Sequence, residues 1–111
     1  MMASRQRSAP LLTEALSSLA AEVTELLRKA GEEELASQIS TLRVRSRCGC
    51  GDDFCATIYT AAGQPAESID LEPAEGMIIL DVDGEEHIVR IEILDRSEYK
   101  KAVDTLLSPA R

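Results

Sequence analysis

The sequence predicts an α+β domain: an N-terminal helical hairpin, an antiparallel meander sheet of about five strands, and a C-terminal helix. Three observations carry that prediction. Apolar residues recur at helical spacing from Leu12 to Ala30, the period drops to two at Leu42, and it returns to helical spacing after Ser97. Helices grouped to either side of a run of strands joined by short turns are the pattern of an α+β fold. A length of 111 residues suits one such domain. It is expected over 9–107, with 9–40 as the helical hairpin, 42–94 as the sheet and 97–107 as the last helix. Residues 1–8 are polar and expected to be a flexible N-terminus.

The first helix is read from Leu12, Leu16, Leu19, Val23, Leu26 and Ala30, whose steps of 4, 3, 4, 3 and 4 draw one stripe along one long helix. Ser8 suits the N-cap, and Pro10 is tolerated in a first turn. Arg28 and Lys29 suit the negative end of the helix dipole, and Gly31 suits the left-handed residue just past it. Glu32, Glu33 and Glu34 then open a second, short helix with Leu35, Ala36 and Ile39 on its apolar side.

From Leu42 the apolar or small residues Leu42, Val44, Ser46 and Cys48 alternate with Arg43, Arg45 and Arg47, which is strand periodicity. On one strand face the three arginines are placed to pair with acids of a neighbouring strand. Residues Gly49 to Asp53 form a turn, and Phe54 to Thr60 form the returning strand. After a break at Gly63-Gln64-Pro65 comes a short strand, Ser68 to Leu71, ended by Pro73. The apolar run Gly76 to Val82 reads as a central strand, and Asp83-Gly84 as a hairpin turn. His87 to Leu94 alternates, with His87, Val89, Ile91 and Ile93 on one face. Ser97 caps the last helix, where Tyr99, Ala102, Val103 and Leu106 share a side, and Pro109 stops it.

Charge narrows the function. With 12 Lys and Arg against 20 Asp and Glu, the net charge is −8. No apolar run nears the ~20 residues of a membrane span. Nucleic-acid phosphates need a basic face, so neither nucleic acid nor membrane is an expected partner. The N-terminal Arg5, Arg7 and Leu11-Leu12 do not make a secretion signal, because Glu14 interrupts the apolar stretch at once. Residues 1–47 carry seven basic and six acidic groups, whereas 48–111 carry five and fourteen. From Cys48 to Val89 there are ten acids and no Lys or Arg. Asp52, Asp53, Asp81, Asp83, Glu85 and Glu86 are the candidates for binding a basic protein partner, drawn in by long-range attraction. The plainer account is a solvated acidic face whose edge charges prevent strand-to-strand aggregation.

The most distinctive stretch is Cys48-Gly49-Cys50-Gly51-Asp52-Asp53-Phe54-Cys55. An odd, clustered set of three cysteines is not a secreted disulfide framework, which points to a reducing cytoplasm. Three readings stay open. The thiols can pack a tight hairpin as small hydrophobes. They can hold zinc, with His87, Asp52, Asp53 or a partner's residue as fourth ligand. Or two of them can form a redox-active pair or a cross-hairpin disulfide. Regular strand phase would place Cys48 on the face of Val44 and Cys55 opposite Phe54, Ala56 and Ile58, which separates the thiols. No phosphate loop, nucleophile elbow or HExxH pattern appears, and no catalytic residues are assigned. Asp81-Val82-Asp83-Gly84-Glu85 is too short for an EF-hand loop.

Thr57-Ile58-Tyr59-Thr60, the run Gly76 to Gly84, and Val89 to Asp95 with Ser97 resemble a short bacterial domain of unknown function. Its members show an aliphatic-tyrosine strand, an I-x-D-x-D-x-G segment and a closing G-I-E-I-L-x-A-S strand. The resemblance covers about half of the chain. Arg90 stands where that family has Gly, and Arg96 where it has Ala. It implies a small antiparallel sheet and a small binding protein with no established activity. The Cys48–Cys55 hairpin is similar to small uncharacterised bacterial proteins, which carry no function over. The expectation is therefore a small acidic cytoplasmic interaction module, monomer or homodimer, of the kind an antitoxin- or immunity-type inhibitor of a basic partner uses. It is not expected to be an enzyme or to need a cofactor. The alternative is a zinc-binding structural module built on Cys48, Cys50 and Cys55.

Overall fold

A computed structural model describes residues 9–106. The segment 1–8 with its Ser8 cap, residue 107 and Pro109 lie outside the described residues. The fold class is the expected α+β one. Helices α1 (Leu12–Ala15), α2 (Ser17–Lys29) and α3 (Glu33–Gln38) precede strands β1 (Ser46–Arg47), β2 (Ile58–Tyr59), β3 (Glu67–Asp70), β4 (Met77–Val82) and β5 (Ile88–Leu94), and α4 (Ser97–Leu106) follows. A single 3-10 turn, Ile39–Thr41, extends α3. No described helix is long and apolar enough to cross a membrane.

The five strands pair antiparallel throughout, in the order β1-β2-β5-β4-β3. Strand order therefore departs from a full meander. Strands β3, β4 and β5 do form one, while β1 and β2 make a separate hairpin that docks on the other side of β5. One sheet face carries Ile58, Ile78, Leu80, Val82, Ile91 and Ile93, and the buried sides of the helices cover it.

The expected single first helix is broken at Leu16, whose backbone (φ −137, ψ 65) is not helical. The reason lies outside the stripe. The Leu12 amide donates to the Leu42 carbonyl and the Val44 amide to the Pro10 carbonyl, so the first turn is tied to the segment before β1. Helix α2 then starts afresh. Its buried side moves from Leu26 to Leu27 and leaves Ala30 exposed, because a repeat of 3.5 residues drifts around a helix of 3.6. Gly31 behaves as expected at φ +81, with the Glu32 amide donating to Leu27 and the Gly31 amide to Arg28, the paired closure a left-handed residue permits.

Strand β5 is less regular than its alternation suggests. Leu80 faces Ile91 and Asp81 faces Arg90, but Val82 faces Ile88, so Val89 is the extra residue of a bulge. The bulge turns Ile88 into the core. Val89 is buried too, near Gly63, where an added Cβ would meet Val89 Cγ1 at 3.3 Å. Two arginines of the first-strand segment, Arg43 before β1 and Arg47 at its end, have partners outside the sheet. Arg43 donates to the Ala9 carbonyl at 2.6 Å, and Arg47 lies 3.6 Å from Asp104 of α4.

The Arg96 carbonyl, not the Ser97 side chain, opens α4: it accepts from the Tyr99 and Lys100 amides at 3.0 Å each. The Arg96 guanidinium reaches back to Glu22 of α2 through two bonds of 2.8 Å. The Tyr99 hydroxyl donates to the same carboxylate at 2.5 Å. The Arg96 bonds hold the Glu22 carboxyl below its ordinary range. Burial, joined by the Glu22 charge, pushes Tyr99 up to about 12.

Candidate metal centre

Strand β1 ends at Arg47, and the chain stays attached for one more step, where the Cys48 amide donates to the Thr57 carbonyl at 2.8 Å. It then leaves the sheet. Gly51 takes φ +80, a left-handed turn closed to most side chains, although a Cβ there would meet nothing within 4 Å. The Cys55 amide donates to the Asp52 carbonyl at 3.2 Å, which tightens the return. The end of β5 holds the loop from below: Asp95 donates to the Phe54 carbonyl, Ala56 donates to the Ile93 carbonyl, and Cys55 bridges Leu94.

This path brings Cys48, Cys50 and Cys55 together, with their sulfurs all within 4.8 Å of one another. That overturns the separation expected from strand phase. Each of β1 and β2 is only two residues long, so the alternation does not extend to the cysteines, and the turn folds them to one side. Cys48 and Cys55 are half-buried and Cys50 is exposed. A zinc ion with bonds of ~2.3 Å sets tetrahedral sulfurs about 3.8 Å apart.

Cys55 and Cys50 ionise in opposite senses. Burial pushes Cys55 up, but its hydrogen bonds with the Thr57 side chain and backbone, and with Cys50 and Cys48, outweigh it and hold Cys55 below its ordinary range. Its sulfur lies 3.4 Å from Thr57 Oγ1. At Cys50 the Asp52 amide favours the thiolate, yet the bonds to Cys48 and Cys55 prevail and push it up to about 11. One negative charge in the cluster thus opposes the next, and a bound dication reverses that opposition.

Among the described residues, no carboxylate or imidazole joins the three sulfurs. Asp52 and Asp53 are exposed on the loop. His87 is remote from it: it precedes Ile88 at the start of β5, while Cys55 bridges Leu94 at the strand's other end. Seven strand residues span roughly 20 Å. The His87 ring is turned to solvent, with Nδ1 3.4 Å from Asp83 Oδ2.

The six acids expected to meet a partner do not form one surface. Asp81 is 0% exposed, so burial removes it from the set. It accepts from Ser68 Oγ at 2.5 Å and from Arg90 Nε at 2.6 Å. Its neighbour Glu92, across the same pair of strands, is pushed up to about 7, first by its hydrogen bond with the Asp81 carboxylate and then by burial. Asp83 folds the β4–β5 turn, accepting from the Glu85 and His87 amides at 2.9 Å each. The His87 amide is the main reason its carboxyl lies below the ordinary range. Glu85 and Glu86 are exposed at that turn, at the opposite end of β5 from Asp52 and Asp53. An open groove of about 1050 Å³ lies beside the turn, lined by Glu34, Gln38, Arg43, Arg45, Glu85 and His87 among others. Its charges are of both signs, and the Gln38 side chain is committed to the Glu86 carbonyl and the Ile88 amide.

The local signal for the thiol cluster was the Gly-Cys-Gly spacing. The Asp81–Arg90–Ser68 network had no such signal, since it depends on pairing across three strands. Comparison with protein-family models, curated proteins and solved structures finds no match to this chain, so the reading of the site rests on its own geometry.

Proposed function

We propose that this protein binds a thiophilic metal ion, zinc first of all, through Cys48, Cys50 and Cys55, and that the ion serves to fix the β1–β2 loop. The observation that carries the reading is the approach of all three sulfurs within 4.8 Å. Thiolates select soft or borderline ions such as zinc over calcium or magnesium. The glycines beside Cys50 leave the backbone free to follow the metal. The structural benefit falls where it is needed, because β1 and β2 share only two residue pairs. Protein purified under reducing conditions should retain about one zinc per chain by elemental analysis, and zinc should raise its Tm. The triple variant C48S/C50S/C55S should do neither. Wild-type protein that neither retains nor takes up zinc overturns the proposal.

A second reading, capture of a basic partner, is supported by the exposure of Asp52, Asp53, Glu85 and Glu86 and by the absence of Lys and Arg between Cys48 and Val89. Such binding weakens as salt rises. A partner recovered from native lysate equally well at low and high salt would remove the electrostatic basis of this reading.

A further inference from the structure

The thiol cluster has three donors, and zinc in a closed site takes four. The described residues offer no fourth donor at the cluster. The shortfall is on the open side. Cys50 is the exposed member, it is flanked by two glycines, and the space a Cβ would fill at Gly51 is clear to 4 Å. Among the described residues, Cys50 is the thiol of the cluster that solvent, and so a second body, can reach.

The exposed loop between Cys50 and Cys55 carries both charge, at Asp52 and Asp53, and apolar surface, at Phe54. Phe54 is 50% exposed and Met77 48%, two of the three large apolar side chains left exposed among the described residues. Phe54 adjoins Cys55 in sequence and bonds Asp95 through its carbonyl. Met77 faces Leu94, which in turn bridges Cys55. An exposed apolar side chain next to an incomplete metal site, as Phe54 is, is what a protein contact would cover.

We infer that two copies of this chain complete the site together, with six thiolates holding two zinc ions and Cys50 of each copy bridging both. The inference rests on the metal reading above. Four terminal thiolates and two bridging ones give each ion four sulfurs, so neither water nor a foreign ligand is needed. Each thiol gives its proton to solvent as it binds, three protons for every zinc, and no electrons move. Symmetry follows, since a twofold contact puts the same loop on both sides. The exposed carboxylates of Asp52 and Asp53 then face like charges across the contact. Without metal they hold the copies apart, so association depends on zinc and strengthens as salt screens the repulsion. The basic-partner reading predicts the opposite salt dependence.

The test uses the full chain, reduced and stripped of metal, titrated with zinc alone while mass is followed by light scattering and metal content by elemental analysis. The expected result is a monomer that becomes a dimer as zinc reaches about one per chain, and reverts with chelator. C50S, altered at an exposed position, should stay folded and monomeric at every zinc concentration. Cobalt in place of zinc should give the spectrum of a four-sulfur tetrahedral site. Zinc-loaded protein that remains a monomer, or cobalt with three sulfurs and one oxygen, overturns the shared site while leaving the metal reading intact. A dimer that persists without zinc overturns it as well. Protein that takes up no zinc at all sinks the metal reading and this inference with it.

Discussion

Two hairpins of the same sheet are held in different ways. Strands β4 and β5 share six residue pairs, and nearly every inward side chain is fully buried. Strands β1 and β2 share two pairs, and the loop between them turns through a left-handed glycine and carries three thiols. The first hairpin draws its stability from apolar surface removed from water. The second draws on that source chiefly through Ala56 and Ile58, and depends as well on backbone bonds to the end of β5. A ligand has more to contribute where burial contributes least.

Substitutions can break this comparison or sharpen it. The largest effect is expected at Ile91, 0% exposed and facing Leu80 on one side and Ile58 on the other. Ile91→Ala should cost about 2–5 kcal/mol in urea unfolding, with or without zinc. A loss confined to zinc-loaded protein would show that the sheet depends on the metal throughout. Gly51→Ala meets no steric obstacle, so its cost is the left-handed backbone alone, about 1 kcal/mol. It should also weaken zinc uptake, read by competition with a chromogenic chelator, because the strain acts on the loop that gathers the sulfurs. Unchanged uptake would mean that the loop re-forms around the ion whatever its free conformation.

The smallest effect belongs to Glu92. Its pKa rises in the folded state from an ordinary value of 4.5 to about 7, so the folded protein binds that proton more tightly than the unfolded chain does. Its contribution is complete below pH 4.5 and is lost as pH climbs through 7. Asp81 acts in the other direction: its carboxyl is held low by Glu92, Ser68 and Arg90 against the cost of burial, so its contribution is lost as pH falls through the folded value. Glu92 is 31% exposed at its side chain, and solvent screening limits its share to under about 1 kcal/mol. Glu92→Gln should flatten the stability profile between pH 4.5 and 7 in thermal melts. An unaltered slope there would assign the titration to another group.

What the sequence disclosed divides along the same line. The Asp83-Gly84 turn, the apolar run of β4, the span of α4 and the left-handed Gly31 were all legible, because each is decided within a few neighbouring residues. The partner of β2 was not, since pairing β2 with β5 joins Ile58 to Ile91 across β3 and β4. The break at Leu16 comes from bonds to Leu42 and Val44, and the bulge at Val89 from register against β4. In the candidate site, the residue types were plain and their meeting was not. Periodicity assumed strands that continue to the cysteines, and strands of two residues do not. Burial of Asp81 likewise needed Arg90 and Ser68 on two different strands to offset the loss of water around its charge.

Strand β5 is the last of the five in chain order and yet lies in the middle of the sheet, between β2 and β4. On a ribosome, β2 and β4 therefore emerge before the strand that joins them exists. Until Ile88–Leu94 has been synthesised, the β1–β2 hairpin has nothing to dock on, and the inward side chains of β4 lack half of their cover. The five strands can then join into one sheet only as a late event, and any fragment cut before Ile88 keeps at most two separate hairpins, β1–β2 and β3–β4.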